Sequence, residues 1–160
     1  MGRMRRLLLL LLSLSLIAGA AGDSALDRAT LRGATAVGIV IDRIDPELVK
    51  IGFDANALQT RIDVRLRNAG LPVADNANEF LGLRLLHVRS GRGPYAVCLS
   101  VAFYQPVVLV RDAKSRTATQ TWEVETVLMA PPNLVYSASL DSLDELVDRF
   151  IASWRSVNTK

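Results

Sequence analysis

Few side chains in this sequence are of the kinds that do chemistry, and their spacing decides what they can do. There is one histidine, His87, and one cysteine, Cys98. A Ser–His–Asp machine would have to run through His87, yet no G-x-S-x-G elbow occurs in the chain. His87 keeps step with Leu81, Leu83 and Leu85, the pattern of a structural residue at a strand end. Cys98 stands between Val97 and Leu99 with no C-x-x-C partner. A reactive thiol needs an accessible, electropositive setting, so inert burial is expected. One cysteine cannot form an internal disulfide, and one His with one Cys cannot build a zinc or iron–sulfur cluster.

Charged pairs offer little more. Glu123 and Glu125 share one strand parity, and Asp144 and Asp148 share a helix face. Paired carboxylates can serve acid–base work or hold a cation, but on outward faces they are ordinarily solvated. Gly91-Arg92-Gly93, with Arg84 and Arg89 nearby, lacks the Lys-Ser/Thr of a P-loop and no helix follows it, so it reads as a hairpin tip. Arg111, Lys114 and Arg116 form a second basic turn that could touch anionic lipid headgroups. The near-neutral charge of the exported chain argues against strong membrane attraction. No residue is therefore assigned as catalytic, metal-ligating or cofactor-binding, and no cofactor is implied.

The N-terminus carries an address. Arg3, Arg5 and Arg6 precede an apolar run from Leu7 to Ile17, and Ala18-Gly19-Ala20-Ala21-Gly22 supplies small residues for cleavage. This is the layout of a secretory signal peptide over residues 1–22, cut after Ala20, Ala21 or Gly22. The run is short for a bilayer span, so no stable membrane insertion is expected once it is removed. Those three arginines account for the whole formal charge of +3, since 16 basic residues then face 16 acidic ones. A general nucleic-acid binder is thereby disfavoured. The expected location is periplasmic or secreted.

The rest of the 160 residues must supply the elements. Residues 23–35 are polar and without periodicity, a lead-in segment to a single domain over 36–157. Ala36–Ile41 reads as a buried strand. Asp45-Pro46 and Gly52 bracket room for one helical turn. Asp54 can cap a helix in which Leu58, Ile62, Leu66 and Ala69 form one face, flanked by Arg61, Arg65 and Arg67 and stopped by Gly70 and Pro72. Leu71–Ala74 reads as a short strand and Leu81–Arg89 as a longer one. From Tyr95 to Val110 large apolar and small residues alternate, with a bulge or edge expected at Pro106. Arg111–Arg116 reads as a charged turn and Thr117–Met129 as a further strand ended by Pro131-Pro132. Ser142 opens S-L-D-E, a capping box, ahead of a stripe through Leu143, Leu146, Val147, Phe150, Ile151 and Trp154.

In order these give β-α-β-β-β-β-α. The expected fold is α+β: a two-layer sandwich whose mixed, mostly antiparallel sheet has helices on one face. The other face is left open. Ser100, Ala102, Thr119 and Thr121 are expected on it as a partner-binding surface, although β-propensity alone accounts for threonines on a strand.

Three segments carry a resemblance: V-G-I-V-I at 37–41, A-G-L-P-V at 69–73 and Y-A-V-C-L-S-V-A-F at 95–103. With the leader and the element order, they resemble small periplasmic α/β domains of bacterial envelope proteins, of the type of the TolB N-terminal domain and the CsgG core. The resemblance spans residues 36–157. Neither the propeller of TolB nor the lipidated cysteine and pore segments of CsgG occur in these residues, so those activities do not carry over. What the resemblance implies is contact with an envelope protein or self-association. The alternatives are a small secreted hydrolase, which would need His87 beside a Ser, Cys or carboxylate in a cleft, and an apolar-ligand carrier, which would need a pocket between helices and sheet.

Overall fold

A computed structural model of the chain describes residues 22–158; most of the expected signal peptide over 1–22 lies outside them. The elements are α1 (Ala25–Ala29), β1 (Gly38–Ile41), α2 (Pro46–Lys50), α3 (Ala55–Asn68), β2 (Phe80–Arg89), β3 (Tyr95–Leu109), β4 (Asp112–Ala130) and α4 (Val135–Asn158). The strands form one sheet in the order β1-β2-β3-β4. β1 runs parallel to β2, and the other neighbours are antiparallel. The fold is the expected α+β sandwich.

Periodicity explains which face is covered. Leu81, Leu83 and Leu85 of β2, Val97, Leu99, Val101 and Phe103 of β3, and Trp122 and Val124 of β4 are all buried. They meet the stripe Leu58, Ile62, Leu66 of α3 and the stripe Val135, Leu143, Leu146, Val147, Phe150 of α4. Phe150 lies between Phe103 and Trp122, with ring centroids 5.9 and 5.3 Å away. These rings fill the helix–sheet seam where an apolar ligand would otherwise sit.

The two long helices are clamped by charge. Arg61 Nε and Nη2 each donate to a different Asp144 oxygen at 2.7 Å, Arg65 Nε donates to Asp144 Oδ1 at 2.9 Å, and Arg65 Nη1 donates to Asp148 at 2.8 Å. Partial burial works to raise the Asp144 carboxyl, but the hydrogen bonds from Arg61 and Arg65 outweigh it and hold that carboxyl below its ordinary value. The arginines that flank the apolar stripe of α3 thus fasten it to α4.

Four local expectations need correction. The segment 23–35 is no lead-in. Ser24 and Asp27 form a capping box that starts α1, Leu31 and Ala34 join the core, and Asp23 Oδ1 accepts from Trp122 Nε1 at 2.9 Å and Ser153 Oγ at 2.7 Å. Leu71–Ala74 forms only a single parallel bridge, Val37 to Val73, because Pro72 has no N–H to extend a ladder. The charged turn shrinks to Val110 and Arg111, and β4 begins at Asp112. Finally, α4 starts at Val135, seven residues before Ser142. The S-L-D-E sequence lies inside the helix, which begins where Leu134 and Val135 N–H groups find the Pro131 carbonyl.

Candidate functional site

The uncovered face of the sheet is built from the alternate residues of the same strands, and cross-strand register arranges them in rows. At one end Val88, Ala96 and Met129 form a row, and Leu86, Cys98 and Val127 form the next. Four of these side chains are large, apolar and exposed: Leu86 by 58%, Val88 by 73%, Val127 by 69% and Met129 by 73%. Singly exposed apolar residues are ordinary, but adjacent ones across three strands make a patch.

Further along, the face turns polar and concave. Gly82 and Ala102 floor a recess of about 290 Å³ whose lining includes Phe80, Tyr104, Arg84, Asp42 and Ser100. Tyr104 stacks on Phe80 with centroids 4.9 Å apart, and its ring lies where a side chain at Gly82 would begin. Arg84 Nε donates to Asp42 at 2.9 Å. Ser100 Oγ donates to Glu123, and Gln120 Nε2 donates to the other Glu123 oxygen.

Of the four residues expected to form the partner surface, Ser100 and Ala102 stand here. Thr119 and Thr121 do not. A register shift follows Phe103: Phe103 pairs with Trp122, but Tyr104 pairs with Gln120, which leaves Thr121 as an extra residue. The bulge inverts parity, so Gln120 faces the open side and Thr119 faces the helix side. Thr121 Oγ1 accepts from Gln105 Nε2 at 2.7 Å, beside α1. At Pro106 the ladder stays in register with Ala118 and β2 pairs no further than Tyr104, so Pro106 sits on an edge and the bulge lies instead at Phe103/Tyr104.

The edge beside the patch is also open. Gly22, at φ +86°, places its carbonyl to accept from Glu123 N–H at 3.2 Å on the outer side of β4; any side chain there would strike the Glu123 carbonyl. Strand alternation then turns the N–H and C=O groups of Glu125, Val127 and Met129 outward as well, and among the described residues no strand pairs with them. The residues of the patch on β4 therefore present their side chains to the open face and their backbone groups to the adjoining edge.

His87, on the helix-side parity, sits near α2. Its Nε2 lies 3.3 Å from Glu47 Oε2, and Tyr95 O–H donates to Glu47 Oε1 at 3.0 Å. Arg89 donates to the Tyr95 oxygen at 2.9 Å and to Glu47 at 3.4 Å, with its guanidinium carbon 4.5 Å from the Tyr95 ring centre. The hydrogen bond to His87, then that from Tyr95, hold the Glu47 carboxyl below its usual range. Burial, reinforced by Glu47, pushes the Tyr95 hydroxyl up. The quartet ties α2 to the strand ends. A hydrolase would add a nucleophile, but the sheet itself separates His87 from Cys98 and Ser100, which occupy the other parity. Cys98 is further disfavoured as a thiolate because burial, with Glu125 and Glu123 nearby, raises its pKa.

Among the described residues there is no grouping of three or more His, Cys, Asp or Glu side chains suited to a metal ion, and no helix is long and apolar enough to cross a membrane. No family model matches the chain, and no curated protein matches it. Among solved structures, a minor lipoprotein from Acinetobacter baumannii is similar over 78% of this chain and 93% of that one, at 11% identity and a TM-score of 0.38. The function is accordingly argued from the surface itself.

Proposed function

We propose that this protein is a secreted, envelope-located interaction domain that docks a partner protein through the apolar end of its open sheet face and the adjoining β4 edge. One observation carries the reading: Leu86, Val88, Val127 and Met129 are exposed in adjacent cross-strand rows beside outward-facing backbone groups. A surface of this kind accepts an added strand by main-chain hydrogen bonds while its side chains receive every second residue of the ligand. Left bare, the same surface is an aggregation liability. The leader pattern and the resemblance of the strand and helix segments to periplasmic envelope domains support the location and the non-enzymatic role.

The test is a photo-crosslinking residue in place of Val127, introduced in the native host, with products identified by mass. Capture of one envelope protein, abolished by L86S/M129S, is the expected result. A crosslink to the chain itself would convert the reading to a homodimer through β4. Free, abundant protein with no crosslink would overturn it.

A further inference from the structure

Beyond the bulge at Thr121, β3 and β4 leave the body as a two-stranded arm. Phe103 is the last β3 residue in the core, and the turn at Val110 and Arg111 follows about seven residues later, roughly 20 Å beyond it at ~3.3 Å per residue. From Arg111 to Gln120 every residue except Ser115 is exposed. An isolated two-stranded ribbon is marginal in water, so an arm of this length calls for something to lie against.

The composition of the tip says what. Between Tyr104 and Gln120 there are three cations, Arg111, Lys114 and Arg116, and one acid, Asp112. Asp112 is exposed, and its carboxylate accepts from Lys114 N–H at 3.1 Å and from Ser115 O–H at 2.6 Å within the turn, so the tip keeps an excess of two positive charges. Those hydrogen bonds hold it ionised but occupied. Neither these three cationic side chains nor Arg32, Arg43, Lys50, Arg92 and Arg149 on the body have an ion-pair partner among the described residues; what sets the arm apart is that its three fall within six residues of one ribbon tip, with a single acid among them. Two exposed valines adjoin the cations: Val108, at 50%, pairs with Arg116 across the ribbon, and Val110, at 105%, precedes Arg111.

We propose that the β3–β4 arm is a membrane-surface contact that rests on an anionic phospholipid bilayer, with Arg111, Lys114 and Arg116 against the headgroup phosphates and Val108 and Val110 entering the interface. The neutrality of the rest of the chain does not oppose this. At physiological salt the Debye length is about 8 Å, so acids on the body some 20 Å away are screened from the tip while the headgroups are not. A soluble polyanion would satisfy the cations alone; the valines favour a partner with an apolar layer just beneath its charge. The contact is independent of the docking face, since the patch lies at the opposite end of β3, whose 15 residues extend roughly 50 Å. A domain held by the arm would present the patch away from the bilayer.

The test is co-sedimentation of the exported protein with phosphatidylcholine vesicles, with and without phosphatidylglycerol. Binding is expected only where phosphatidylglycerol is present, and should weaken as salt is raised. R111Q/K114Q/R116Q should lower partitioning by about a hundredfold, from ~1 kcal/mol per basic residue. V108S/V110S should lower it severalfold, and the equal-charge control R32Q/R43Q/R92Q should leave it unchanged. Absence of binding, equal binding to pure phosphatidylcholine, or equal loss in the control would overturn the proposal. Loss in the charge variant with full retention in V108S/V110S would also overturn it, since a contact made by charge alone does not distinguish a bilayer from any other anionic surface.

Discussion

The two faces of the sheet are made from the same strands, yet they are composed for different tasks. On the helix side, every strand residue from Val97 to Phe103 of matching parity is buried among apolar neighbours. On the other side, the residues between them form a polar recess at one end and a bare apolar patch at the other. An antiparallel sheet can leave one face to water at no cost, and a face made only for water would carry polar side chains throughout. Four large apolar residues in adjacent rows do not help the isolated domain. The covered face therefore answers for stability, and the open face for association.

The largest effects should come from the covered face. Trp122→Ala removes a ring that touches Phe150 and an N–H that Asp23 accepts. It should cost about 3–5 kcal/mol by chemical denaturation. A loss below about 1 kcal/mol would mean that the two faces are not energetically distinct. Asp144→Asn should cost about 2 kcal/mol at neutral pH, because two arginines lose a charged acceptor. The Asp144 carboxyl is held below its ordinary value of 3.8, so its contribution is complete above that value and is lost as pH falls through the folded-state value. The stability gap between wild type and Asp144→Asn should therefore narrow in acid. A gap that stays constant or widens would show that the clamp does not act through charge.

Much of this division was legible in the sequence, and each miss has its own physical cause. Asp54 caps α3 through Ala57 N–H at 2.8 Å, as its spacing from Leu58, Ile62 and Leu66 indicated. The alternation of Tyr95–Phe103 correctly separated the two faces of β3. The threonine row failed because Thr117, Thr119, Thr121, Glu123 and Glu125 alternate without interruption in sequence, and the one-residue bulge that inverts their parity leaves no local trace. Residues 23–35 were misread because long-range partners hold them: Asp23 to Trp122 and Ser153, and Asn158 to Leu31 and Gly33. The early start of α4 was available in principle, since Val135 and Ser139 continue the spacing of Leu143, but the capping box at Ser142 gave the stronger local signal.

That tethering can be measured in its own right. Asp23→Ala removes the acceptor shared by Trp122 Nε1 and Ser153 Oγ, both inside the protein. Leaving them unsatisfied should cost about 1–3 kcal/mol. An unchanged denaturation midpoint would return residues 23–35 to the status of a passive leader into the domain.

The smallest expected effect on stability is the most informative for function. On the open face, Val127→Ser and Met129→Ser replace side chains that are mostly in water and touch no helix, so each should change stability by less than about 0.5 kcal/mol. Their solubility should rise, because the patch beside the β4 edge is where two unprotected sheets would meet. If instead either change destabilised the domain as a core substitution does, the patch would be covered within the chain itself, and the comparison between the faces would fail. Neutral stability combined with loss of a specific crosslink would separate the two faces as cleanly as their burial does: one set of residues holding the fold, and the other, on the same strands, holding a partner.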